Sequence, residues 1–389
     1  MLRSLFSGIS GLRSHQTMLD VAGNNIANVN TTAFKASATQ FQDTLSQMTQ
    51  GAGTPQVGMG GTNPAQVGLG VQVAGISTNF TQGSTQTTGR AEDMMISGDG
   101  FFMVRSGTET LYTRAGSFGF DAEDRLVTPD GAFVLGWAAS NGAINTGGPV
   151  GPISLPRNLV APAIATTTAG VTGNLPADAE VGAEIIRDIE VFDAEGEVSK
   201  LTLTFTRTAA GWDVEGTRGA VTATESLTFT DGELDSGGPL TVGGITVNLG
   251  DLTSYAQLTS VSISEANGRE AGALESYSMS SNGELVGSFS NGAIMPIASL
   301  ALGTFVNPGG LEKAGGSTYR ATANSGNALV STPGANGAGT VVGGALEMSN
   351  VDLSQEFTNL IVAQRGFQAN ARIITTSDEV LQELTNLKR

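Results

Sequence analysis

The sequence predicts a multidomain α+β chain. Helices at the two ends pair as a coiled coil, and the middle domains are all-β, barrel- or sandwich-like. The domains nest, each outer one formed by both halves of the chain. Three observations carry this reading. Apolar residues recur every seven positions at both ends. The chain is turn-rich: Gly accounts for 54 of 389 residues, about twice the usual ~7% share, and aromatics for only 6%. Short runs of alternating apolar residues separated by Gly, Pro, Asn and Asp fill the stretch between the ends, the pattern of strands and hairpins.

The N-terminal helix rests on Leu5, Leu12, Leu19 and Ile26, spaced seven apart, with Leu2 and Ile9 on a neighbouring seam. Gly8, Gly11 and Gly23 interrupt it. Each costs roughly 1 kcal/mol against Ala, so the helix should be weak alone and need a partner. The same residues argue against a cleaved leader: Leu2, Leu5, Phe6 and Ile9 are spaced rather than continuous, and Arg13 intervenes.

The C-terminal helix has the stronger repeat, with Leu346, Leu353, Leu360, Phe367, Ile374 and Leu381 seven apart. Asp352 and Gln355 fit the N-cap and N3 positions of a helix starting near Leu353. Gly366 is its one glycine, and residues 353–387 would make a rod of roughly 50 Å at 1.5 Å per residue. Two heptad segments at opposite ends suggest pairing with each other or with other copies.

Between the helices, Phe41, Leu45 and Met48 at i, i+4 and i+7 suggest a short helix over 36–48. Residues 51–70 read as a Gly/Pro-rich loop without periodicity. From Val71 the pattern is β. Phe101, Phe102 and Val104 follow the turn Gly98-Asp99-Gly100, and residues 120–137 read as strands joined by turns at 121–124 and 129–131. Residues 140–182 read as a linker into a further β domain, where Val198, Leu201, Leu203 and Phe205 nearly alternate, as do Ile245, Val247 and Leu249. Ser281-Asn282-Gly283 is another hairpin turn, and Gly-rich 332–344 leads to the last helix. The expected division is 1–30 with 353–389, the terminal helical domain; 31–70 with 332–352, a connecting segment; 71–140 with 284–331, an inner β domain; and 141–283, an outer β insert.

Composition removes most chemistry. There is no Cys, hence no disulfide, thiolate nucleophile or zinc–thiolate site. The one histidine, His15, lies in a polar stretch of the first helix and reads as a surface or packing residue. With 19 basic and 36 acidic residues the net charge is −17, which disfavours nucleic acid, since that affinity comes from Lys and Arg on phosphates. The excess sits in the middle and the ends are near neutral, as suits segments that stack against many copies. Long uncharged stretches are studded with Gly, Thr, Asn and Ser, unlike the ~20 apolar residues of a membrane span. Dinucleotide and phosphate-loop motifs are absent. Asp121-Ala122-Glu123-Asp124-Arg125 places Arg where a calcium loop needs an oxygen, so this acidic run and that at Asp193, Glu195 and Glu197 read as solvated turns. No catalytic residue, cofactor or metal is expected.

Asn24-Asn25-Ile26-Ala27-Asn28-Val29-Asn30-Thr31-Thr32-Ala33-Phe34-Lys35 resembles the N-terminal signature of the bacterial flagellar rod and hook family. The matching positions are Asn24, Asn25, Ala27, Asn28, Thr31, Phe34 and Lys35. The family pattern has Gly where Ala33 stands, which leaves open whether the backbone there is left-handed. The C-terminal run from Gly343 through Leu387 resembles the terminal helix of hook proteins, and residues 68–104 resemble their inner surface domain. The likeness covers roughly 1–137 and 284–389 and is loose over 140–283.

The resemblance implies a non-enzymatic subunit that self-assembles into the flagellar hook, the curved flexible tube that passes torque from rod to filament. The alternative is the distal rod protein of the basal body, which shares both termini but lacks a large middle insert. Implied partners are copies of itself, the rod, the hook cap, the hook–filament junction proteins and the type III export apparatus. The implied location is the extracellular flagellum, reached without a cleaved signal. Leu5, Leu12, Leu19, Ile26, Leu353, Leu360, Phe367, Ile374 and Leu381 are the expected assembly seam. Phe41 and Leu45 fit a Phe-x-x-x-apolar export element, or equally the packing face of a helix.

Overall fold

The computed structural model describes residues 2–55, 58–140, 142–156 and 158–386. Both ends are helical: α1 spans Leu2–Ala27 and α2 spans Leu353–Asn386. Asp352 caps α2, its Oδ1 accepting from the N–H of Ser354 at 2.8 Å and of Gln355 at 3.3 Å. The Gln355 side chain turns forward to Asn359 Oδ1 at 3.1 Å instead of closing a capping box. The Leu2 side chain, expected beside Ile9, and residues 387–389 lie outside the described residues. No helix among the described residues is long and apolar enough to cross a membrane.

The chain forms two compact units. One comprises Met1–Leu155, Ser278–Val286 and Pro296–Arg389; the other comprises Pro156–Tyr277 and Gly287–Met295. In the first unit α1 and α2 pack together, and α1 also lies against the antiparallel ribbon of strands Ser37–Asp43 and Val71–Thr78. The sheet of this unit orders Phe133–Ser140, Phe101–Ser106, Glu109–Thr113, Thr318–Arg320 and Glu312–Gly315 as neighbours. Phe101, Met103, Tyr112, Leu135, Trp137, Ala301 and Tyr319 form a core on it. Phe80 reaches this core from outside the sheet, its ring 5.6 Å from Phe101 and 5.3 Å from Tyr319 in edge-on contacts.

Two short pairings close the unit across the sequence. Thr340–Gly343 pairs with Met94–Ser97, and Ala345–Glu347 with Thr85–Thr87. The chain therefore enters α2 only after joining strands laid down more than 200 residues earlier.

The second unit is built mainly on a mostly antiparallel sheet. Its order runs Glu184–Phe192, Val198–Arg207, Gly211–Arg218, Val221–Thr230, Glu233–Ser236, Ile245–Thr253, Thr168–Asn174 and Ser262–Ala266. Thr168–Asn174 and Ile245–Thr253 are its parallel pair. The alternation holds from Leu201 onward: Leu201, Leu203, Phe205, Ile245, Val247 and Leu249 are buried together with Trp212. Val198, three positions before Leu201, falls on the opposite face of the strand and is exposed.

Three expectations change. Residues 36–48 are not helical; they hold strand Ser37–Asp43 and the start of strand Ser46–Gln50. The i, i+4, i+7 spacing there is outweighed by main-chain pairing with Val71–Thr78. Residues 51–70 are not an aperiodic loop: strand Ala65–Gly68 pairs back on Ser46–Gln50, and Gly53 and Thr62 bridge. Residues 140–182 are not all linker, since Thr168–Asn174 is an interior strand of the second unit. Its small residues suit that place. Gly173 has φ +117°, and a side chain there would strike the Ser260 carbonyl.

Candidate assembly site: the helix pair and a buried charge node

The family-like segment, which begins in the last turn of α1, ties together several parts of the first unit. Asn28 Nδ2 donates to Asn24 O at 2.9 Å and Asn24 Oδ1 at 3.0 Å, and Thr31 donates to Asn28 Oδ1 at 3.1 Å. These bonds end the helix and turn the chain. Ala27 sits on the exposed side of this last turn. Asn25 is buried; its amide donates to Ser37 O at 2.8 Å and to Glu356 Oε1 of α2 at 3.0 Å, and its Oδ1 accepts the Ser37 N–H at 3.0 Å. One side chain thus fixes the end of α1 to the first strand and to α2.

Ala33 resolves the question its glycine-like position left open. Its φ is +55° and it is fully buried. The left-handed backbone is kept without glycine, at roughly 1–2 kcal/mol of strain. The Ala33 N–H donates to Glu347 O at 2.8 Å, which helps hold that conformation. Phe34 is half-buried, and Lys313 Nζ lies 5.1 Å from its ring centroid.

Lys35 follows, with no solvent exposure. Its Nζ donates to Glu347 Oε1 at 2.6 Å and to Thr81 O at 2.8 Å. Glu347, also fully buried, accepts the Gly83 N–H at 2.8 Å, and its second oxygen lies 3.6 Å from Arg114. Arg114 in turn faces the Phe101 ring at 5.4 Å and donates to Gly98 O at 2.8 Å. Burial lowers the Lys35 ammonium below the usual lysine range, against the opposing pull of Glu347. It lowers Arg114 in the same way. Segments 33–35, 81–83, 114 and 345–350 therefore converge on one carboxylate. Asn350 adds a second link, its Oδ1 accepting the Ala36 N–H at 2.8 Å and its amide donating to Asn79 O at 2.9 Å.

Tyr319 stands beside this node, and burial pushes its phenol up to about 12. A folded-state value above the unfolded one stabilises the fold below the unfolded value near pH 10, and that contribution is lost as pH rises through about 12. Unfolding of the first unit should therefore become easier between about pH 10 and pH 12, and Tyr319→Phe should flatten that part of the profile. An unchanged profile in the Phe variant would assign the alkaline loss to other groups.

The seam residues lie as follows. Leu5, Leu12, Leu19, Ile26, Leu360, Phe367, Ile374 and Leu381 are half-buried, and Leu353 is exposed. The most buried positions of the pair are small or polar: Gly8, Gly11, Ser14, Ala22 and Asn25 on α1, and Ala363 on α2. Gly8 faces Ile373 and Ile374, Gly11 faces Asn370, and Gly366 faces His15. Two of the glycines read as weak points are thus where the helices meet most closely, while Gly23 faces open space. His15 is a packing residue, its ring also 5.8 Å from Phe41. Phe41 and Leu45 do not share a helix face: Phe41 is on a strand and Leu45, 85% exposed, follows it.

Glu347 and Arg114 carry the node and stood out from nothing in the sequence. Glu347 lies within the long C-terminal run with nothing local to mark it, and Arg114 is one arginine among many. The turn acids behave as read: Asp121 accepts from the N–H of Glu123 and Arg125 and pairs with the Arg125 side chain at 2.8 Å.

Comparison with known proteins agrees with this construction. A family model described as flagella basal body rod protein matches residues 5–35. One described as the flagellar hook protein FlgE/F/G D1 domain matches 95–171. One described as the flagellar basal body rod FlgEFG protein C-terminal region matches 342–387. The flagellar hook protein FlgE of Borreliella burgdorferi is 37% identical, with 100% of both chains covered. That of Treponema pallidum is 36% identical, again over 100% of both. The flagellar basal-body rod protein FlgG of Bacillus subtilis is 34% identical over 100% of both. Two of the matched models hold the segments that meet at Lys35 and Glu347, and the likeness to hook proteins runs from end to end, so the chain belongs to the flagellar hook protein family.

Proposed function

We propose that the chain is the structural subunit of the flagellar hook, a helical polymer that bends while passing torque from rod to filament. The observation that carries it is the state of α2. Its inner face is taken by α1, yet both flanks stay apolar and exposed: Leu353, Phe357 and Ile361 along one, Val362, Ile373 and Val380 along the other. Two uncovered flanks on one helix suit contact with copies on two sides. The seam residues Leu12, Leu19, Leu360 and Phe367, half-buried within one chain, have area left for such neighbours.

In this reading the subunit is exported by the type III apparatus without a cleaved signal, with Phe41 and Leu45 as the export element, and polymerises beneath a cap. Rod and junction proteins contact the ends of the tube. The four-part division is terminal helices, connecting segment, inner β domain and outer insert. The exposed ribbon of strands Ser46–Gln50 and Ala65–Gly68 and the segments near 142–156 and 158–167 are where bending falls, because packed interiors resist strain.

The FlgG match supports a second reading, a distal rod subunit. Low-resolution imaging of polymer grown from purified chain decides. Curved, bendable tubes are expected; straight rigid ones would make it a rod protein, and no polymer at all would remove both readings. In the free subunit, with both flanks uncovered, protease should remove α1 and α2 before either β unit. Equal resistance of helices and β units would count against folding coupled to assembly.

A further inference from the structure

The leucine repeat that pairs α1 with α2 does not by itself define how they align. A heptad seam slipped by seven residues presents the same pattern again. Something outside the repeat must choose the register.

The helices run antiparallel: Gly8 lies against Ile373, Gly11 against Asn370, His15 against Gly366 and Asn25 against Glu356. Two of these contacts are reciprocal. A methyl carbon on Gly11 would fall 2.7 Å from Asn370 Oδ1, and one on Gly366 would fall 2.5 Å from the His15 ring. Each helix therefore offers one hole and one polar knob, four residues apart. We propose that His15 and Asn370, seated over Gly366 and Gly11, specify the register of the terminal helix pair.

The selection works by shape. Asn370 Nδ2 bonds back to Gly366 O within its own helix at 2.8 Å, and His15 Nδ1 is buried with no hydrogen-bond partner among the described residues. Neither knob needs a polar bond across the seam; each needs a missing side chain opposite. Slipping one turn in one direction sets Gly11 on Gly366 and leaves a void. Slipping one turn the other way sets His15 on Asn370, knob against knob. A seven-residue slip keeps the leucines in phase but moves His15 from Gly366 onto Asn359 or Ile373. Packed interiors tolerate neither voids nor overlaps. His15 is also backed by Phe41 on its strand, and Asn25 is bonded to Ser37. The chosen register is thereby the one the rest of the unit accepts.

The chain has no Cys, so introduced cysteine pairs report register directly. In the full-length chain, Ser4→Cys with Ser377→Cys reads the native alignment. Ser4→Cys with Ile373→Cys, or with Leu381→Cys, reads a slip of one turn either way. Disulfide geometry is strict enough that the native pair should close about tenfold faster than either slipped pair. With His15→Ala and Asn370→Ala added, that preference should fall to within about threefold. Gly11→Asn alone should abolish the native crosslink, and Gly11→Asn with Asn370→Gly, which exchanges knob and hole, should restore it. An undiminished native preference after both knobs are removed, or no rescue by the exchange, would overturn the proposal.

Discussion

Glu347→Ala should lower the unfolding free energy of the first unit by about 3–5 kcal/mol, the range for breaking a buried ion pair by removing one partner. The substitution strands two cations, Lys35 and Arg114, and the Gly83 N–H in a site closed to water. Lys35→Met should do less harm, about 1–3 kcal/mol, because Glu347 keeps Arg114 and Gly83 and the methionine fills the lysine stem's space. The ordering of the two variants is the test. Each unit holds one tryptophan, Trp137 in the first and Trp212 in the second, so denaturant unfolding followed at Trp137 in a Trp212→Phe background isolates the right unit. If Lys35→Met proves as damaging as Glu347→Ala, stranded charge is not what the node guards against.

Ala363→Asp should abolish polymerisation. Ala363 on α2 is fully buried, and a carboxylate there loses its water. Leu12→Asp and Leu360→Asp, at half-buried positions, should also block assembly but leave more residual pairing of the helices. Both β units should stay folded in all three. Gly23→Ala is the control: it faces open space, so it should firm up α1 by roughly 1 kcal/mol and leave assembly intact. Sedimentation of polymer from soluble chain reads all four. Normal assembly of the Ala363→Asp chain would show that the helix pair is not part of the polymer contact.

The end helices, the β middle and the flagellar signature were legible because each is written in local pattern. Heptads, Asn-rich helix ends and alternating strands depend on residues a few positions apart. The glycines of α1 were legible only as weaknesses. Propensity counts the missing Cβ as a loss, and nothing in the sequence says that another helix will fill the space. The strand over 37–43 carries a helix-like pattern for a related reason: its apolar spacing at i, i+4 and i+7 with Leu45 and Met48 is local, and pairing with residues 71–78 outweighs it.

Sequence alone determined that this chain has helical ends, a β-rich acidic middle and the signature of a flagellar axial protein, because those properties follow from composition and short-range order. Only the tertiary structure decided which residues meet. It joined Lys35 to Glu347 across 312 positions, held Ala33 left-handed against its own preference, and made Gly11 and Gly366 receptacles for Asn370 and His15. Burial is a property of the assembled fold: a carboxylate, a histidine ring or a bare glycine acquires its meaning from what packs over it, and that neighbour lies far along the chain.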